Sequence, residues 1–149
     1  MASTEKTLYT AEAHVTGGRA DGHGTTTDGQ LEVDLRLPTE MGGSGGGTNP
    51  EELFAVGYAA CFEGAIGAIA RRMKVEAGDV AIDSKVSLHP TAERGFSLSV
   101  ELHVALPSVD DAQAIEIVRG AHQVCPYSNA TRGNIPVILT ANGQSVEAD

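Results

Sequence analysis

The sequence predicts an α+β fold on three observations. Several segments alternate apolar and polar residues with a period of two, two longer segments are apolar at helical spacing, and turn-forming residues separate them. With 149 residues and 41% hydrophobic content, the chain is long enough to bury a core as one domain, expected to span residues 1–149.

The elements follow in order. "LYTAEAHV", residues 8 to 15, reads as a first strand. In "LEVDLRL", Leu31, Val33, Leu35 and Leu37 share one face and Glu32, Asp34 and Arg36 the other. "VAIDSKVSL" puts Val80, Ile82, Val86 and Leu88 on one face. "FSLSVELHVAL" does the same with Phe96, Leu98, Val100, Leu102, Val104 and Leu106. The turn-rich "HPTAERG" joins these two as an antiparallel pair. "PVILTA" is a last strand. One apolar face per strand predicts antiparallel sheet covered on a single side by long helices.

The first helix opens at "TNPEE": Asn49 suits the N-cap, Pro50 the first helical position, and Glu52 the capping-box spacing. It runs to about Met73, roughly 35 Å at 1.5 Å per residue. Apolar residues occupy nearly its whole circumference, so it is expected to be buried on more than one side. Burial between two copies of the chain, a homodimer, would meet that requirement. Glu63, in the middle of the apolar run from 53 to 70, favours a soluble core helix over a membrane span. The second helix is expected from Ser108 to Pro126, with Ala114, Val118, Ala121 and Cys125 on one apolar stripe.

Charge and composition exclude several functions. Twenty acidic against ten basic residues give a net charge of −10, which repels a phosphate backbone, so no nucleic-acid partner is expected. "MGGSGGGTNP" lacks the Lys-Ser/Thr pair of a phosphate loop, and Glu51 and Glu52 behind it would repel phosphate; it reads as a flexible connection. The histidines at 14, 23, 89, 103 and 122 show no metal-ligand spacing and read as solvated or strand-surface residues, so no metal is expected. The G-x-S-x-G spelled by Gly42 to Gly46 lies within that glycine-rich connection and not on a sharp strand-to-helix turn, so it is not read as a hydrolase elbow. The N-terminus lacks the pattern of a secretory signal, and a cytoplasmic location is expected, with no membrane partner. In that reducing compartment, two cysteines mean free thiols or a transient, catalytic disulfide.

Cys61, in "GYAACFEG", and Cys125, in "VCPYSNATRGN", are the only cysteines. Both can be read as small buried hydrophobes. As a redox pair they need their helices side by side, with Cα atoms within about 7 Å. Cys61 also needs a cation to ionise. It lies too far from the helix start for the dipole to act, and Arg71 and Arg72 stand roughly 15 Å further along the same helix. Arginines on loops remain, and Arg19 in "GGRADG" stands out because flanking glycines permit close approach; a carboxylate would have to fix its planar fork.

"GGGTNPEELFAVGYAACFEGA" and "VCPYSNATRGN", with "GGRADG" upstream, closely resemble the organic hydroperoxide resistance proteins of the Ohr/OsmC family, over essentially the whole chain. The resemblance implies an OsmC-like, intertwined homodimer with two active sites at its interface. It implies a thiol peroxidase in which Cys61 attacks an organic hydroperoxide, including those of fatty acids, and Cys125 resolves the sulfenic acid as a disulfide. By the same resemblance, Arg19 and Glu51 form the polar network that activates Cys61. No bound cofactor is implied; the reductant is an external dithiol, the dihydrolipoyl group of a lipoylated protein. Because Glu51 precedes Cys61 by about 15 Å along a straight helix, it is expected to reach Cys61 from the partner chain or through Arg19. Among the aromatics, Tyr127 is the best candidate to touch substrate, because it abuts Cys125. The alternatives are a non-enzymatic redox sensor or a carrier of small hydrophobic ligands.

Overall fold

The computed structural model describes residues 5 to 148, and its contacts divide the chain into two compact units, Met1–Pro50 and Glu51–Asp149. The first unit is a three-stranded antiparallel sheet of β1 (Ala13–Thr16), β2 (Asp21–Thr26) and β3 (Glu32–Arg36), in that order. The expected first strand therefore begins at Ala13, five residues late; Leu8 and Tyr9 precede it as exposed side chains. β2 was hidden in the sequence because its glycines read as turn. Gly22 is in fact required, since a Cβ there would lie 1.9 Å from the Gly18 carbonyl oxygen across the β1–β2 turn.

The glycine-rich segment corrects a second expectation. It does not run free but folds back along β3: Gly43 donates to Pro38, Gly45 to Leu37 and Thr48 to Asp34, all between 2.9 and 3.1 Å. Glycine is needed for this approach, because a Cβ on Gly43 would sit 2.1 Å from the Leu37 carbonyl oxygen.

The second unit opens with α1 (Pro50–Met73), which starts at the proline as read. β4 (Ala81–Pro90) and β5 (Phe96–Ala105) form the expected antiparallel pair, in register from Ala81 opposite Ala105 to Pro90 opposite Phe96. α2 (Asp111–Val124) begins two residues later than read: Asp110, not Ser108, is the N-cap, and its carboxylate accepts from the Gln113 N–H at 2.8 Å. Pro126 ends that helix but also opens another, α3 (Pro126–Thr131), since proline fits a first helical position. β6 (Val137–Ala141) then pairs with β5 in parallel, departing from a purely antiparallel sheet, and β7 (Gln144–Val146) closes the order β4-β5-β6-β7.

The core of this unit lies on one face of its sheet. Val100, Leu102, Val104, Leu106, Leu139 and Ala141 meet Tyr58, Phe62, Ile66 and Ile69 of α1 and the α2 stripe of Ala114, Val118, Ala121 and Cys125. Asp83, Lys85, Glu101 and His103 alternate onto the opposite, solvent-facing side. α1 and α2 approach closely at Gly120, where a Cβ would stand 3.1 Å from Ile69. α1 is long and apolar enough to cross a bilayer by length and composition alone. It buries a single face in its own chain, not several: Val56 stays 72% exposed, and Ala60 and Gly64 lie on the same open side.

Candidate active site

The two cysteines meet although they stand 64 residues apart: the Cys125 thiol points at the Cys61 sulfur, 3.3 Å away, and both are free thiols. Each is placed by local structure. Cys61 opens the fourth turn of α1, on the edge of its buried face. Cys125 is the extended residue between two helices, with φ −64° and ψ 123°, its N–H bonded to Ala121 and its carbonyl accepting from Asn129. It is fully buried, whereas Cys61 is half-buried.

Tyr127 adjoins the pair. Its backbone N–H donates to the Cys61 sulfur. Its ring stacks on Phe54 with centroids 5.6 Å apart and tilts against Tyr58 at the same distance. Gly57 makes room for it, because a Cβ there would come 3.0 Å from the Tyr127 hydroxyl oxygen. Tyr127 remains 36% exposed, whereas Tyr58 and Phe62 are wholly buried and act as core. Phe54 and Tyr127 are thus the aromatic pair left at the surface beside Cys61.

The electrostatics of this geometry do not activate Cys61. Burial pushes its thiol above the ordinary value of 9.0, and the neighbouring Cys125 thiol adds to the rise; the Tyr127 N–H opposes both. Arg19 is half-buried in the turn between β1 and β2, in the first unit. Glu51 is the second residue of α1, ten positions before Cys61 on an unbroken helix and so about 15 Å along its axis.

A buried hydroxyl chain lies one helical turn from the sulfurs. The Tyr58 hydroxyl bonds to Ser128 Oγ at 2.8 Å and to Thr131 Oγ1 at 2.9 Å, and His122 Nδ1 meets Ser128 Oγ at 2.9 Å. Burial raises the Tyr58 phenol above its ordinary 10.0, with the two hydroxyl partners pulling the other way. His122 is 1% exposed, which corrects its reading as a solvated residue. Its place on the α2 stripe, one residue after Ala121 and three before Cys125, is the signal that could have found it. A cleft of about 400 Å³ lined by His122, Arg132, Asn134, Ile135 and Val137 borders neither cysteine, so it is not the sulfur site.

Known proteins resemble this chain in sequence and fold. The OsmC-like protein family matches residues 43–140. The chain belongs to the OsmC family. Within it, an organic hydroperoxide resistance protein of Xanthomonas axonopodis pv. citri is 54% identical over 142 residues, covering 94% of this chain and 99% of that one. Two solved structures carry the same description. That from Legionella pneumophila has a TM-score of 0.86 at 53% identity, covering 90% of this chain and 97% of the other. OhrB of Bacillus subtilis has a TM-score of 0.81 at 45% identity, covering 89% and 98%. The α+β architecture is therefore that of the organic hydroperoxide resistance branch of the OsmC family, and a role in resistance to organic hydroperoxides follows from membership.

Proposed function

We propose that the protein is a thiol-dependent peroxidase that reduces organic hydroperoxides to alcohols. The observation that carries this reading is the 3.3 Å contact between Cys61 and Cys125, two thiols brought together across 64 residues of sequence. The Cys61 thiolate attacks the outer oxygen of ROOH; the O–O bond breaks, RO⁻ leaves and takes a proton, and Cys61 becomes a sulfenic acid. Cys125 attacks the sulfenic sulfur, hydroxide leaves with the Cys125 proton as water, and a disulfide forms. An external dithiol exchanges that disulfide away, and a dihydrolipoyl group on a lipoylated protein is the proposed donor.

Arg19, held by Glu51, supplies in this reading the cation that Cys61 lacks and stabilises charge on the departing oxygen. The homodimer is proposed with it: Leu8 and Tyr9 are 92% and 76% exposed, and α1 leaves Val56 open, so a second copy has apolar surface to cover. Tyr127 and Phe54 favour substrates with an apolar tail. Four or five buried methylenes are worth about 3–4 kcal/mol, two to three orders of magnitude over hydrogen peroxide. The protein is proposed to work in the cytoplasm.

The test is mass spectrometry of the reduced protein after one equivalent of cumene hydroperoxide, alongside Cys61→Ser and Cys125→Ser. Rapid loss of two hydrogens, mapped to a Cys61–Cys125 link and absent from the Cys61 variant, supports the cycle. An unchanged mass would leave the cysteines as packing residues and end the proposal.

A further inference from the structure

We infer that Tyr58, Ser128 and His122 are positioning residues that set how readily Cys61 and Cys125 join, and so protect Cys61 from over-oxidation. The inference deepens the peroxidase reading and rests on it for its protective role. Tyr58 precedes Cys61 by three residues on α1, one helical turn. His122 precedes Cys125 by three on α2, and Ser128 follows it by three on α3. The chain Tyr58 Oη–Ser128 Oγ–His122 Nδ1, with links of 2.8 and 2.9 Å, therefore forms the layer next to the sulfurs and joins all three helices that carry them. Thr131 Oγ1, 2.9 Å from the Tyr58 hydroxyl, ties α1 to α3 a second time. All of these side chains are at most 4% exposed, so water does not replace a lost partner cheaply.

The chemistry gives this layer a consequence. A sulfenic acid on Cys61 has two fates: attack by Cys125 gives the disulfide, and a second peroxide gives the sulfinic acid. Their ratio depends on how often the Cys125 sulfur is within reach. Cys125 sits at the α2–α3 junction, and its backbone bonds, to Ala121 and from Asn129, run along α2 and α3 and do not hold it against α1. The hydroxyl chain does so, by anchoring the junction on both sides to Tyr58.

The experiment compares wild type with Tyr58→Phe, which keeps the ring and removes one hydroxyl, and with Ser128→Ala, which breaks both links. The dithiol–disulfide equilibrium is read in dithiothreitol buffers without peroxide. Separately, the sulfinic fraction at Cys61 is read by mass spectrometry after excess cumene hydroperoxide. Each variant is expected to lower the equilibrium constant for the disulfide about tenfold, a potential about 30 mV less negative. The sulfinic fraction should rise severalfold while the first oxidation of Cys61 keeps its rate. A folded Tyr58→Phe and Ser128→Ala with wild-type equilibrium constants would overturn the inference. If wild type ignores peroxide, the peroxidase reading falls while the equilibrium still decides whether the layer positions the pair.

Discussion

Oxidation should stabilise this fold by a margin that can be worked out from the position of the two sulfurs. A link between residues 64 positions apart removes loop entropy from the unfolded chain equivalent to about 4.3 kcal/mol at 25 °C in the chain-entropy treatment. Against this stands the native-state distortion of closing the sulfurs from 3.3 Å to a bond of about 2.05 Å, a movement of about 1.2 Å. The extended φ and ψ of Cys125 between α2 and α3 place it at a junction of two helices, where a small change of their relative angle can absorb part of that movement. A net gain of about 2–4 kcal/mol is expected. With a urea slope of about 2 kcal/mol/M, the midpoint should rise by about 1–2 M. The assay is urea unfolding of protein reduced with a phosphine and of protein oxidised with one equivalent of diamide, at one protomer concentration. Cys125→Ala, which cannot form the link, should show no difference between the two treatments. Equal midpoints for oxidised and reduced wild type would mean that closing the pair strains the core by as much as the link contributes. The reduced structure would then not be poised for disulfide formation.

Four further outcomes are expected. Gly120→Ala gains about 1 kcal/mol of helix propensity but drives a Cβ to 3.1–3.3 Å from three atoms of Ile69, an overpacking cost of about 1–3 kcal/mol; urea unfolding should show a net loss, and a gain would deny the close α1–α2 crossing. Gly57→Ala brings a Cβ to 3.0 Å from the Tyr127 hydroxyl oxygen, the far end of a side chain that can give way, so stability should stay within about 1 kcal/mol of wild type, while the rate with cumene hydroperoxide falls about three- to tenfold; an unchanged rate removes Tyr127 from substrate contact. His23 has Asp34 Oδ1 and Glu32 Oε2 each 2.9 Å from a ring nitrogen, and hydrogen bonds to these carboxylates, that to Asp34 the larger, hold its pKa above 6.5. Its folded value being raised, the stabilisation is fully present below pH 6.5 and lost as pH rises through the folded value; an NMR titration should show a downward shift on Asp34→Asn, and no shift refutes the clamp. Arg19→Ala should move the pH profile of Cys61 alkylation to higher pH, and an unmoved profile takes from Arg19 its activating role.

Much of the frame was legible in the sequence because local pattern and tertiary burial agreed there. Pro50 fixed the start of α1, alternation fixed the β4–β5 pair, and the spacing of Ala114, Val118, Ala121 and Cys125 fixed the buried stripe of α2. What failed did so where one residue type serves two purposes. Glycine marks turns, so the close approaches that require Gly22 and Gly43 looked like loop. Proline stops a helix, so Pro126 concealed the helix it begins. Nothing in "PVILTA" tells whether it pairs in parallel, because alternation sets the face of a strand and not its direction. At the site, the cysteines could be named but their meeting could not. The hydroxyl chain was out of reach for the same reason, since Tyr58 and Ser128 touch across 70 residues of sequence.

The geometry separates two requirements of cysteine chemistry that are often met together. Proximity is built into the second unit, where α1, α2 and α3 bring the sulfurs within 3.3 Å and a buried hydroxyl layer underlies them. Ionisation is not, because the same burial that creates the contact raises the Cys61 thiol, and the Tyr127 N–H is the one lowering influence on it. A site made only of these helices would resolve a sulfenic acid well and form one poorly. The proposed mechanism assigns activation to a cation, Arg19 in the turn between β1 and β2. If Arg19 is that cation, thiolate formation depends on a turn held by Gly17 and Gly18, both at positive φ, while disulfide formation depends on helix packing. The two steps should then respond to different substitutions: changes in the β1–β2 turn should slow the first oxidation and spare the disulfide equilibrium, and changes in the hydroxyl layer should do the reverse.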